Sequence, residues 1–235
     1  YQIHYRGYFW MKLKKLFSAF TLTELLIALA ILGALAGMAI PSLMEGLQKK
    51  QLTLQLKNTI AGIQQIAHNQ MIAKNTKDLT LTDFNSPAKL LSEKNFPIVK
   101  SCEKAADCWT ESYKKISGNT ASTRYLEGNN RSIILKNGAI ISYGLSNVAT
   151  KGLPSDSDDR DIGIFRIDIN GIDKPNMIGR DVFWFYISKK GKILNHSQVS
   201  GGGYNEADAI AGCKAETFIT ACLTVIQENN WDMPY

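Results

Sequence analysis

The amino-acid sequence predicts an α+β protein: a long N-terminal helix, membrane-spanning in its first half, packed on a roughly four-stranded antiparallel sheet and followed by a short C-terminal helix. Three observations carry this reading. Residues 20–43 (FTLTELLIALAILGALAGMAIPSL) contain sixteen uncharged residues in a row, Leu25 to Ile40, and as a helix the segment is long enough to cross a hydrocarbon core of about 30 Å. From Met44 to about Asn75 the pattern stays helical but turns amphipathic. Leu52, Leu56, Ile60, Ile63, Ile66, Ala67 and Met71 recur every three or four residues and define one face. Finally, RSIILK and AIISYG flank Asn137-Gly138, a short-range signal for a hairpin because both turn residues tolerate positive φ.

Residues 1–10 (YQIHYRGYFW) show no pattern, whereas Met11 followed by Lys12, Lys14 and Lys15 resembles a translation start. Residues 1–10 are therefore read as an upstream extension and 11–19 as a basic leader peptide. Lysines ahead of the apolar run put the leader in the cytoplasm and the bulk of the chain outside, with a single span at residues 20–43. Within that span Glu24 is a solitary carboxylate, which predicts a partner for it or a snorkelling contact with lipid headgroups. Gly33 and Gly37 form a G-x-x-x-G step that lets helices approach closely in lipid. Pro41 removes a backbone donor and predicts a bend or a loosened turn.

The run of basic leader, small residue, Phe20, Thr21, Leu22, Glu24, Leu25, Gly33 and the Ile40-Pro41 pair resembles the N-terminus of type IV pilins and type II secretion pseudopilins. The resemblance covers about residues 12–43, with Ala19 standing where the family most often has Gly. It implies cleavage between Ala19 and Phe20 by a prepilin peptidase, N-methylation of Phe20, and polymerisation through the N-terminal helix. Glu24 of one subunit would then pair with the Phe20 amine of a neighbour, and Glu24, Gly33, Gly37 and Pro41 would serve assembly. The implied partners are other pilin or pseudopilin subunits, the peptidase and an inner-membrane assembly platform. The implied fold is the pilin layout, a head at residues 76–235 behind a helix at 20–75.

Behind the helix, residues 75–131 read as a variable connecting lobe, with a short helix from Ser86-Pro87 and a stop at Phe96-Pro97. Further strands are expected at Gly163–Ile169 and Asp181–Ser188, the latter turning at Lys189-Lys190-Gly191 into KILNH. A helix is expected over Glu216–Asn230, with Cys213 in the loop before it. Four cysteines, Cys102, Cys108, Cys213 and Cys222, suit disulfides in an oxidising compartment. Pairing of neighbours is the simple expectation, but a continuous helix from Cys213 to Cys222 would hold them about 13 Å apart, so either that helix starts after Cys213 or the pairs cross.

The segment IDINGIDKPNMIGRD collects Asp168, Asn170, Asp173 and Asp181, and D-x-N-G-x-D resembles the opening of an oxygen-ligand loop for Ca2+. The alternative is an Asx turn with exposed carboxylates. Asp156, Asp158 and Asp159 in the preceding PSDSDDRD run belong to a solvated loop that could add ligands. No other cofactor is implied. With only His68 and His196 after the leader, and neither G-x-S-x-G nor H-E-x-x-H, no catalytic constellation is found. Nor is the chain read as nucleic-acid binding. Of its formal net charge of +6, Arg6, Lys12, Lys14 and Lys15 precede Phe20 with no acidic residue among them, leaving about +2. The basic hairpin tip Lys189, Lys190 and Lys192 is read as a solvated turn.

The function expected is that of a structural subunit, a minor pilin or pseudopilin, resident in the inner membrane with a periplasmic head until assembly. The rival is a membrane-anchored or secreted periplasmic binding module that does not polymerise, the secreted form arising if Ala34-Leu35-Ala36 served as an ordinary signal-peptidase site.

Overall fold

The computed structural model describes residues 20–121, 131–146, 157–194, 205–215 and 219–235. The expected leader at 1–19, with the cleavage-site residue Ala19, and His196 lie outside them. The chain divides into two compact units, one ending at Leu47 and one from Gln48 to Tyr235.

In the first unit, helix α1 (Leu22–Ala73) begins and runs through Pro41. It is the one helix among the described residues long and apolar enough to cross a membrane. Its apolar side chains in this unit, Leu25, Leu29, Leu32, Leu35 and Ile40 among them, are all exposed.

In the second unit the same helix behaves oppositely. Leu52, Leu56, Ile60, Ile63 and Ala67 are buried, the stripe that the three-and-four spacing predicts. They share one core with Ile133, Ile141, Tyr143, Phe165, Ile167, Phe183, Phe185 and Ile187. These residues alternate along the strands, so the helix covers one face of the sheet. Leu54 on the opposite side of the helix is exposed.

Among the described residues six strands form the sheet rather than about four: β1 (Ile98–Cys102), β2 (Ser132–Leu135), β3 (Ile140–Leu145), β4 (Asp161–Asp168), β5 (Val182–Ser188) and β6 (Ile193–Leu194). They lie in sequence order, every neighbouring pair antiparallel. The extra edge strand, β1, comes from the segment read as an irregular lobe. It is short, largely exposed and bulged between Ile98 and Lys100, so no alternation marks it. The β2–β3 turn differs in detail from the expectation. Only Gly138 has positive φ, at 88°, and its N–H donates to the Leu135 carbonyl at 2.9 Å, as in a three-residue hairpin that ends on a left-handed glycine.

The second face of the sheet is covered too. Ala105, Cys108, Trp109, Tyr113 and Ala121 from the former lobe pack with Ile140, Val182 and Trp184, residues of the opposite pleat. Before them come two single-turn 3-10 helices, Leu79–Leu81 and Asp83–Asn85, and the short helix α2 (Pro87–Leu90) with Pro at its start.

The C-terminus carries two helices, α3 (Glu206–Ala215) and α4 (Ile219–Glu228), rather than one. Cys213 therefore lies within α3 and not in a loop. The neighbouring cysteines pair, as the simple expectation has it: Cys213 with Cys222 at a Cα separation of 4.9 Å and Cys102 with Cys108 at 6.0 Å. The helix that holds Cys222 starts after Cys213, one of the two alternatives the spacing left open.

Candidate functional site

The start of α1 is built by a reciprocal cap. Thr21 precedes the first helical residue, and its carbonyl accepts the first helical hydrogen bond, from Leu25 N–H at 3.2 Å. The Glu24 N–H donates to Thr21 Oγ1 at 3.2 Å, while Glu24 Oε2 accepts from Thr21 N–H at 2.8 Å and from Thr21 Oγ1 at 2.9 Å. Thr21-Leu22-Thr23-Glu24 is thus a capping box, two orphan amide groups each satisfied by the other residue's side chain. Glu24 therefore has a partner in its own chain, and S/T-x-x-E ahead of an apolar run is the sequence pattern of this cap.

The other residues of this segment are exposed. Phe20 is 82% exposed, and a methyl group added at Gly33 or Gly37 would find no heavy atom within 4 Å. Pro41 leaves the helix unbroken, and Ser42 Oγ donates to the Ala39 carbonyl at 3.0 Å one turn back. From Leu25 to Ile40 the exposed surface presents small and apolar side chains, which suits lipid or another helix.

A second cluster lies at the β4–β5 turn. Asp168 closes β4 and Asp181 precedes β5, and both carboxylates are fully buried. Tyr113 Oη donates to Asp168 Oδ2 at 2.7 Å. Asp181 accepts from the N–H groups of Asn176 and Met177, both at 2.6 Å. Burial, and then the neighbouring Asp181 charge, push the Asp168 carboxyl up to about 8, although the Tyr113 hydroxyl pulls the other way. Burial pushes Asp181 up to about 6, against the backbone amides that favour its ionised form. Tyr113, buried and facing Asp168, is held well above the ordinary phenol range. Asn170 donates through Nδ2 to the carbonyls of Asp173 and Lys174, each at 3.0 Å, while the Asp173 side chain itself is exposed. Among the described residues no group of three or more His, Cys, Asp or Glu side chains is arranged to hold a metal.

The remaining expectations resolve simply. Asp158 pairs with Lys190 at 3.1 Å and Asp159 with Lys192 at 3.2 Å, so the acidic run and the basic hairpin tip meet each other; Asp156 lies outside the described residues. His68 is exposed on α1. The Cys213–Cys222 disulfide sits against Gly179, where an added Cβ would come within 3.0 Å of Cys213 Sγ and 3.1 Å of Cys222 Sγ. The C-terminal Tyr235 donates to the Gly179 carbonyl at 3.0 Å. The β4–β5 turn is thereby held against the C-terminal helices.

Residues 14–40 match the family model of the prokaryotic N-terminal methylation motif. No curated protein and no solved structure matches the chain. The chain carries a prepilin-type signal of the type IV pilin and pseudopilin kind, joined to an α+β head. The motif and the single apolar N-terminal helix fit a processed, single-pass membrane-anchored subunit, and the motif belongs with structural subunits rather than enzymes.

Proposed function

We propose that this chain is a structural subunit, a minor pilin or pseudopilin, of a type IV pilus or type II secretion filament. A prepilin peptidase cuts it between Ala19 and Phe20 and the new amine of Phe20 is methylated. It waits in the inner membrane with its head in the periplasm, and an assembly platform there passes it to a filament of other pilin subunits. In the filament the first half of α1 packs against like helices across Gly33 and Gly37, Pro41 supplies the compliance needed on leaving the bilayer, and Glu24 faces a neighbour's Phe20 amine. The observation that carries this reading is the methylation motif at residues 14–40 together with an apolar helix that nothing in its own chain buries.

One observation favours the rival, an anchored binding module that stays single. The Thr21–Glu24 cap already satisfies the Glu24 carboxylate within one chain, so a neighbour's amine is not required to stabilise it.

Intact-mass and N-terminal sequence analysis of the protein purified from cells that contain a prepilin peptidase tests the proposal. A mature chain that begins at methylated Phe20 and cross-links to other pilins through α1 is expected. A chain that keeps its leader, or that begins after Ala36, defeats the processing step. A correctly processed chain that never co-purifies with filaments defeats assembly and leaves the anchored module.

A further inference from the structure

The face of the sheet turned away from α1 carries a positive charge that nothing among the described residues answers. Arg166 on β4 stands directly opposite Ser142 on β3 and Trp184 on β5. The three side chains therefore form one row on one pleat, with neighbouring Cβ atoms about 5 Å apart. Trp184 shares this pleat with Ile140 and Val182. Arg166 Cζ lies 5.2 Å from the centroid of the Trp184 ring, and the guanidinium atoms Nε and Nη1 are both buried without a hydrogen-bond partner. Ser142 is 1% exposed, and its Oγ is buried and without a partner as well. Two residues on adjacent strands thus hold donors back from water and spend none of them, which is rare in folded proteins.

No acid offsets the charge. The ion pairs among the described residues join Arg131 and lysines to other acids, and none includes Arg166. Asp168 lies two residues further along the same pleat, but its Oδ2 accepts from Tyr113, and burial keeps its carboxyl largely protonated at neutral pH. The Tyr186 hydroxyl favours the guanidinium's charge, yet burial raises it above the ordinary phenol range, so it is itself uncharged at neutral pH.

A buried cation with no counter-charge is costly, and stacking on an aromatic ring compensates it only in part. Water would answer the donors and leave the charge in place. An anion answers both. A carboxylate matches what is offered: its two oxygens fit the fork of a guanidinium, its single charge balances that of Arg166, and a lone pair remains for the Ser142 hydroxyl. Phosphate would bring more charge and more oxygens than one guanidinium and one hydroxyl meet. We propose that the second face of the sheet holds a carboxylate-binding site, in which Arg166 takes the anion, Trp184 supports the guanidinium and Ser142 donates one further hydrogen bond. The ligand is a singly charged carboxylate, supplied by a free organic acid or by the acidic side chain of a peptide. Because the site lies in the head, it does not depend on whether the chain polymerises.

The test uses the full chain in uncharged detergent micelles, isotope-labelled at arginine for NMR, in chloride buffer at constant ionic strength. The Arg166 Nε–H signal is the one missing from Arg166→Lys. Acetate stands for the free acid and the capped peptide acetyl-Ala-Glu-Ala-amide for the peptide side chain, with acetamide and acetyl-Ala-Gln-Ala-amide as uncharged counterparts. At least one carboxylate should shift that signal saturably and raise Tm, and its uncharged counterpart should do neither; the tighter of the two identifies the source. Ser142→Ala should weaken binding about tenfold. Arg166→Met should abolish the rise in Tm while costing no stability in carboxylate-free buffer, since it removes an unanswered charge and keeps an apolar stem over Trp184. Wild-type protein that responds to neither carboxylate overturns the site, and so does phosphate binding more tightly than both. A fall in Tm of more than about 5 °C for Arg166→Met in carboxylate-free buffer also overturns it, because the guanidinium would then be answered from within the chain.

Discussion

The two halves of α1 have the same backbone and opposite fates. Between Leu52 and Ala67 the apolar stripe is buried under a sheet, whereas between Leu25 and Leu47 equally apolar side chains are exposed on every side. The head gains its stability from within the chain. The first half of the helix leaves its apolar area uncovered, an area that would be worth roughly 25 cal/mol per Å² if removed from water. In the function proposed above, lipid covers that area first and like helices afterwards. The difference separates what this chain does for itself from what it offers to an assembly.

The sharpest way to break the comparison is to remove one large apolar side chain from each region. Phe165 is fully buried, stacked on Phe185 with ring centroids 5.4 Å apart and tilted against Tyr143 at 4.7 Å. Phe165→Ala should cost the head about 3–5 kcal/mol. Leu32→Ala, in the exposed half, should change it by less than about 0.5 kcal/mol. Denaturant unfolding of the full chain, followed by Trp fluorescence, checks both. Equal losses would mean that the exposed half contributes to the head's stability as much as the core does.

A comparable effect comes from the buried aspartates and has a definite sign. Asp168 has a folded pKa of about 8 against the usual carboxylate value of 3.8, so above pH 4 the unfolded chain gives up a proton that the folded chain still holds. Folding stability should therefore fall as pH rises from about 4 to about 8, by on the order of 5 kcal/mol. Asp168→Asn should flatten that slope. A Tm series across this range, which the exposed half of α1 should leave unaffected, is the measurement. Stability that rises with pH would contradict the burial of this pair.

What was legible in the sequence was whatever is local or periodic. The apolar run, the α1 stripe, the Asn137-Gly138 hairpin and strands β4 and β5 all announce themselves through spacing. β1 does not, because a short, bulged, exposed edge strand has no alternation to read. Neither does the second cover, since Trp109 and Tyr113 are isolated aromatics whose contacts, such as Tyr113 with Asp168, join positions far apart in the chain. The first C-terminal helix is equally silent: Glu206–Ala215 has few large apolar residues, so only the spacing from Phe218 onward predicts a helix. At the candidate sites the same rule holds. The methylation motif is a linear pattern, and the aspartates stood out as acidic residues in a turn. The capping box is linear too, Thr21 and Glu24 standing three residues apart ahead of an apolar run.

The smallest expected effect bears on that last residue. Cleavage before Phe20 leaves the Phe20–Thr21 peptide intact, so the cap survives processing and the new amine lies one residue from it. Thr21→Val removes the hydroxyl that both donates to Glu24 Oε2 and accepts from the Glu24 N–H, and should cost about 1 kcal/mol of local helix stability. By hydrogen exchange in micelles, the amides of Leu22 to Leu25 should then exchange about fivefold faster in the variant, with no change in the head. If Glu24 is drawn to a neighbour's amine in the filament, incorporation should persist in Thr21→Val and fail in Glu24→Ala, because only the second variant lacks the carboxylate. Were Thr21→Val as defective as Glu24→Ala, the acid's work would lie in capping its own helix, and the exposed half of α1 would be organised from within like the head.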